Sequence, residues 1–274
     1  MSASPPRAAV IVTTYNRPDA LRAVLEGYLA QQGAAFELLV ADDGSGEDTR
    51  ELVASYATRA SFPLLHVWQE DCGFRAAAIR NRALAQTSAD YVIFSDGDCV
   101  PPPFFVQRHL ALAEAGCFVA GNRVLLSASF TDHVLSDRIA IHEWDALRWL
   151  LAWARRDVNR VSPLLRLPGS FLRKTAPRRW AGVKTCNLAA WRADLVRVNG
   201  FDERYAGWGL EDSDLVIRLI NSGVRHKSGR FHAPVLHLWH RENDRSALAE
   251  NEARLHELLG ARRVVALEGL DRHT

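Results

Sequence analysis

The sequence predicts an α/β fold: a single domain built on a mostly parallel central sheet flanked by helices. Short apolar, β-branched runs alternate with amphipathic stretches of roughly 10–15 residues, the pattern of βαβ units. The 274 residues are 48% hydrophobic and 24% charged, which allows a large core and excludes a disordered chain or a small disulfide scaffold. Polar clusters follow the first, second and fourth strands, on the carboxyl edge where open α/β sheets bind ligands.

Ala8 to Thr14 (AAVIVTT) reads as a buried strand. Pro18 suits a first helical turn. Leu21, Val24, Leu25, Tyr28 and Leu29 then share one helical face, closed by Gly33. Phe36 to Ala41 is the second strand and runs into Asp42-Asp43-Gly44-Ser45. Glu47 to Arg59 is the next helix, Leu64 to Trp68 the third strand and Arg75 to Gln86 a helix. Tyr91 to Phe94 is the fourth strand, followed by Ser95-Asp96-Gly97-Asp98. The second half is less regular. Pro101 to Glu114 reads as helix, and Cys117 to Ala120 and Val124 to Leu126 as strands. Between Asp137 and Trp180 basic residues accumulate: Arg148, Arg155, Arg156, Arg160, Arg166, Arg173, Lys174, Arg178 and Arg179. On a helical wheel Ala140, Trp144, Leu147 and Leu151 share one face, opposite Trp149, Trp153 and Arg156. Leu215, Ile217, Leu219 and Ile220 mark a later helix, and Ser246 to Thr274 reads as a helix with a charged end.

Lys and Arg total 34 against 32 Asp and Glu, a net charge of +2, which argues against a nucleic-acid partner. Cys72, Cys99, Cys117 and Cys186 form no CxxC spacing and read as free thiols of a reducing compartment. The first residues lack the charge and apolar run of a signal peptide, and no long apolar stretch reads as a membrane span. The expected location is cytoplasmic, with possible contact at the inner face of the membrane.

Four clusters carry chemistry. Asp96-Gly97-Asp98 offers two carboxylates to a hard divalent cation such as Mg2+ or Mn2+. Alone it reads equally as a solvated turn in which Gly97 supplies an unusual φ. Asp42-Asp43-Gly44-Ser45 and Thr13-Thr14-Tyr15-Asn16 end the first two strands. A carboxylate there can accept from an imide N–H such as uracil's, and Tyr15 can stack on a base. The competing reading is a turn with Ser45 or Asp48 capping a helix. Gly207-Trp208-Gly209-Leu210-Glu211-Asp212 sets an aromatic platform beside carboxylates that open a helix. These read as a general base beside a sugar-stacking Trp208, or as acids favoured by the helix dipole. His237-Leu238-Trp239-His240 follows Pro234-Val235. On a strand its histidines face opposite ways, so at most one would join the Asp pair's metal.

Taken in order, VIVTTYNRP (10–18), LLVADDGS (38–45), GFRAAAIRNRAL (73–84), FSDGDCVPP (94–102) and NGFDERYAGWGLEDSDL (199–215) resemble the family 2 glycosyltransferases of GT-A (Rossmann-like) fold. The last segment resembles the motif of the β-1,4-galactosyltransferase and chondroitin polymerase type. The resemblance covers residues 8–243. It implies a nucleotide-sugar-binding half (8–130), an acceptor-binding half (131–245) with a basic helical insertion (137–180), and a helical tail (246–274). It implies that Thr13, Tyr15 and Asp43 hold the base, uracil in a UDP-sugar, with Asn16 and Arg17 in the same nucleotide site. Arg75 would approach base or diphosphate, and Asn81 would order that loop. Asp96 would touch ribose or metal, and Asp98 would be the main ligand of Mn2+ or Mg2+. His240, or else His237, would complete the metal site. Asp212 would be the catalytic base, Glu211 would bind hydroxyls, and Trp208 would pack on the sugar. The implied reaction is inverting transfer from a nucleotide-sugar, of UDP type, to a hydroxyl of a glycan or glycolipid. Bacterial surface polysaccharide or lipopolysaccharide is one setting, and the basic, Trp-rich stretch suits an anionic acceptor or a peripheral membrane contact. Two alternatives stay open: a sugar-nucleotide nucleotidyltransferase, although TTYNRP lacks its glycine cluster, and a non-catalytic glycan-binding relative.

Overall fold

A computed structural model describes residues 6–165, 171–241 and 244–274. Arg166 of the basic stretch lies outside them. The chain runs β1 (Ala8–Thr14), α1 (Pro18–Leu29), β2 (Phe36–Asp42), α2 (Glu47–Ala57), β3 (Leu64–Trp68), α3 (Ala76–Ala85) and β4 (Tyr91–Asp96). Then come β5 (Cys99–Val100), α4 (Phe105–Leu112), β6 (Cys117–Ala120), β7 (Asn122–Leu125), α5 (Ala128–Ser136) and α6 (Ala146–Ala154). The last part holds β8 (Asn187–Trp191), α7 (Arg192–Arg197), α8 (Glu211–Asn221), β9 (Arg225–Ser228), β10 (Pro234–His237) and α9 (Leu248–Ala261).

Among the described residues seven strands form one sheet in the order β3-β2-β1-β4-β8-β6-β9, and only β8 runs against its neighbours. The sheet is the mostly parallel one that the alternating pattern predicts. Successive β1 residues point to opposite faces, as strand geometry requires. Val10 and Val12 meet Leu21, Val24, Leu52 and Phe105 on one face. Ala9 and Ile11 join the cluster of Ile79, Leu195, Leu215 and Leu219 on the other. Helices α1, α2 and α4 therefore cover one face, and α3, α7 and α8 the other. A small second sheet, β5-β10-β7, closes over the carboxyl edge.

The helical wheel drawn from Ala140 to Arg156 does not hold. Residues Ile141–Glu143 form a 3-10 turn, and α6 begins at Ala146, where Asp145 caps it by accepting from the Arg148 N–H at 2.9 Å. Trp149 and Ala152 are the buried positions of α6, while Leu147 is 64% and Leu151 47% exposed. A capping carboxylate beside the apolar run resets the helical phase, and the apolar pattern alone did not show it. Nor does the basic stretch form one surface. Arg155 and Arg156 end α6 in solvent, Lys174 pairs with Glu114, and Arg173 is buried against the Ser228 and Arg230 carbonyls.

Candidate active site

Register brings the first carboxylates together. Thr13 lies beside Asp96 across the β1–β4 pair, and Thr14 beside Asp42 across β1–β2. The Gly97 N–H donates to the Thr13 carbonyl at 2.7 Å and the Asp43 N–H to the Thr14 carbonyl at 3.0 Å. Gly97 has no unusual φ and is buried, between half-buried Asp96 and Asp98. A Cβ there would come within 2.8 Å of Thr14 Oγ1, so closeness to β1 requires the glycine. Neither Ser45 nor Asp48 caps α2: its N-cap is Gly46 and no side chain caps it. Ser45 Oγ instead accepts from the Asn16 N–H at 2.8 Å and ties the two loops together.

The β5–β10 pairing sets His237 opposite Cys99, next to Asp98. His237 ends its strand, the chain then leaves strand geometry, and His240 swings back. His237 Nε2 lies 3.8 Å from Asp98 Oδ1, and His240 Nε2 lies 3.4 Å from Asp98 Oδ2. The expectation that the two histidines face apart is thus corrected; both meet Asp98. His240 Nδ1 lies 2.7 Å from the Arg241 carbonyl, which can only accept, so Nδ1 carries a proton and Nε2 is the nitrogen turned to Asp98. Burial holds His237 below its ordinary pKa, against the pull of Asp98. Two imidazoles and a carboxylate, all within 4.8 Å, are a donor set that fits a divalent cation. Asp96 lies outside that trio, beside Cys99 and Cys186.

A basic side chain braces the acids. Arg80 of α3 is buried and donates to Thr13 Oγ1 (3.0 Å), Glu211 Oε1 (3.0 Å) and Asp96 Oδ1 (3.2 Å). Burial pushes the Asp96 carboxyl up to about 6, although Arg80 pulls it down. Burial also raises Glu211, and the neighbouring Asp212 adds to the effect. At the start of α8, Gly209 and then Leu210 take positive φ (109° and 76°), turning the chain so that Glu211 and Asp212 open the helix. Asp212 Oδ1 accepts from the Ser213 N–H at 2.7 Å, and Oδ2 lies 3.2 Å from Lys184 Nζ. Asp43 is buried, accepts from Gln69 Nε2 (2.6 Å) and the Arg75 N–H (2.7 Å), and is raised by that burial.

A cleft of about 720 Å³ collects Thr13, Tyr15, Arg17, Asp43, Asp96, Asp98, Trp208, Glu211, Asp212, His237 and His240 along its wall. Three other candidates do not line it. Asn16 accepts from the Gly46 N–H at 3.1 Å, and the Arg75 guanidinium donates to the Glu70 carbonyl. Asn81 orders a different loop from the expected one, bonding the Phe201 N–H (2.8 Å) and carbonyl (2.9 Å). Arg80, Lys184 and Arg123 line the cleft and escaped the sequence reading. Arg80 left one signal, an arginine among Ala77, Ile79 and Ala83 on a helix that packs on the sheet; Lys184 left none.

The fold is of GT-A architecture. Residues 9–165 match glycosyl transferase family 2 and residues 170–241 match the N-terminal domain of galactosyltransferase, so the chain belongs to glycosyl transferase family 2. It is 34% identical over 229 residues to validoxylamine A glucosyltransferase of Streptomyces hygroscopicus subsp. limoneus, covering 80% of this chain and 49% of that one. It is 28% identical over 231 residues to chondroitin synthase of Escherichia coli, covering 80% of this chain and 33% of the relative. The chain thus spans about half the length, or less, of these relatives. Among solved structures, S. aureus TarS 1–349 in complex with UDP superimposes with TM-score 0.63 at 16% identity, over 97% of this chain and 68% of that one. Mannosyltransferase PcManGT from Pyrobaculum calidifontis with GDP-Man and Mn2+ gives 0.60 at 18%, over 93% and 65%.

Proposed function

We propose that this chain is an inverting, metal-dependent glycosyltransferase that moves a sugar from a nucleotide-sugar, of UDP type, to a hydroxyl of a glycan or glycolipid. The observation that carries this reading is that Asp43, Asp98 and Asp212, from three distant stretches of sequence, line one cleft. Thr13, Tyr15 and Asp43 form its nucleotide end, with Asp43 as acceptor for an imide N–H. Asp98, His237 and His240 would hold the cation, and two imidazoles favour Mn2+ over Mg2+, which prefers oxygen ligands. A bound cation neutralises the diphosphate and makes it a better leaving group. Trp208 offers a face to the sugar.

Three of the carboxylates along the cleft have partners in its wall: Asp96 and Glu211 with Arg80, Asp43 with Gln69 and the Arg75 N–H. Asp212, which opens α8 on the cleft wall, takes the acceptor's proton, with Lys184 and the Ser213 N–H fixing its orientation. With Asp212 as the base, the acceptor oxygen attacks the anomeric carbon directly and the configuration inverts. The named activities of the relatives, a glucosyltransferase and a chondroitin synthase, and the UDP in TarS agree with this reading. Transfer assayed with a panel of UDP-, GDP- and dTDP-sugars, with and without Mn2+, tests it. Formation of a glycoside of inverted anomeric configuration supports the proposal; retention, or pyrophosphate exchange with nucleoside triphosphates, refutes it.

No helix among the described residues is long and apolar enough to cross a membrane. The exposed Leu147, Leu150, Leu151 and Trp153 of α6, beside Arg148 and Arg155, support a peripheral contact with an anionic bilayer. Co-sedimentation with phosphatidylglycerol vesicles, abolished by Leu150→Asp with Trp153→Asp, is the expected result; equal sedimentation of the variant contradicts it.

A further inference from the structure

A second cleft of about 480 Å³ adjoins the first and shares Arg123, Lys184 and Cys186 with it. Among the described residues its wall carries Arg123, Arg160, Arg173, Arg179, Lys184 and Arg230, and no Asp or Glu. In a chain of nearly balanced charge, six cations around one cavity are a marked segregation. Arg173 is committed to the floor, donating to the Ser228 carbonyl (3.0 Å) and the Arg230 carbonyl (2.8 Å). Other wall arginines are steadied by single neutral acceptors: Arg160 by the Arg123 carbonyl at 3.3 Å, Arg230 by Asn122 Oδ1 at 3.2 Å, Arg179 by the Ala181 carbonyl at 3.4 Å. A guanidinium has five N–H donors, so each keeps several for a ligand. The positive field is felt inside the wall. His226 is held below its ordinary pKa, first by burial and further by Arg179 and Arg230.

We propose that this second cleft binds an anionic substituent, carboxylate or phosphate, on the sugar of the acceptor. Lys184 gives the position its meaning, because it lines both clefts and contacts Asp212, the base that must face the acceptor hydroxyl. An acceptor with its hydroxyl at Asp212 extends past Lys184 among the arginines. Guanidinium forks match both anions in bidentate geometry. The assignment rests on the transferase reading for the word acceptor; the anion site itself does not.

Calorimetric titration of the full chain with glucuronic acid, glucose 6-phosphate and methyl glucoside tests it, using wild type and an Arg160→Gln, Arg230→Gln double variant. Either charged sugar, or both, is expected to bind at least about tenfold more tightly than methyl glucoside, and the double variant to lose that preference. UDP binding with Mn2+, measured on the same samples, is expected to be unchanged in the variant. Equal binding of charged and neutral sugars overturns the proposal, as does an undiminished preference in the variant. So does a variant that loses UDP in place of the charged sugar, which would give the cleft to the donor. Failure of UDP to bind wild type would instead sink the transferase reading while leaving the anion preference standing.

Discussion

At the residue scale, Arg80 is the keystone of the site. It satisfies Thr13 on β1, Asp96 on β4 and Glu211 on α8 from one buried position. Arg80→Met leaves buried Glu211 and half-buried Asp96 without their cation and is expected to cost about 3 kcal/mol, read as a lowered urea midpoint; an unchanged midpoint contradicts this. Asp212→Asn keeps the shape and removes the base. Transfer is expected to fall about 100-fold or more while UDP binding stays within twofold. Near-normal transfer would place the base elsewhere. Gly97→Ala forces its Cβ against Thr14 and shifts the Asp98 loop. Mn2+ affinity is expected to drop about tenfold or more, by direct titration, while unaltered affinity would detach Asp98 from the cation.

At the element scale, the contact of α4 with β8 contains a buried titratable group. His109 Nε2 bonds Asn187 Oδ1 at 2.9 Å, and burial drives its pKa down to about 4. Unfolded imidazole protonates near 6.5, so between about pH 6.5 and 4 the unfolded chain binds a proton that the folded chain refuses. Stability is therefore complete above that window and falls with pH inside it, by up to about 1.4 kcal/mol per unit from this group. His142, His226 and His237 are shifted the same way, so His109→Gln is expected to reduce the slope by about one proton without removing it. An identical slope in the variant, from urea melts across that range, would show that His109 protonates freely in the fold. The short pairing of β5 with β10 matters in the same structural sense: two residue pairs bring Asp98 and His237 together.

For the whole molecule, the parallel sheet was readable because Ala8–Thr14, Phe36–Asp42 and Tyr91–Asp96 are apolar on both faces and joined by helices with clear periodicity. The carboxyl-edge clusters followed from that topology. The sequence was silent on β8 and β9, whose residues NLAAW and RHKS carry little β signal and are placed by their sheet neighbours. Long-range partnerships were equally hidden: Lys184 with Asp212, Arg80 with Glu211, and the turn after His237 that returns His240 to Asp98. A charged residue inside an alternating pattern looks the same whether it meets water or a carboxylate more than a hundred residues away. The most direct measurement is calorimetric titration of UDP with Mn2+, with excess EDTA, and with Asp98→Ala in place of wild type. The account predicts binding that depends on Mn2+ and disappears in the variant; binding equally strong in EDTA, or retained with Mn2+ by Asp98→Ala, would contradict it.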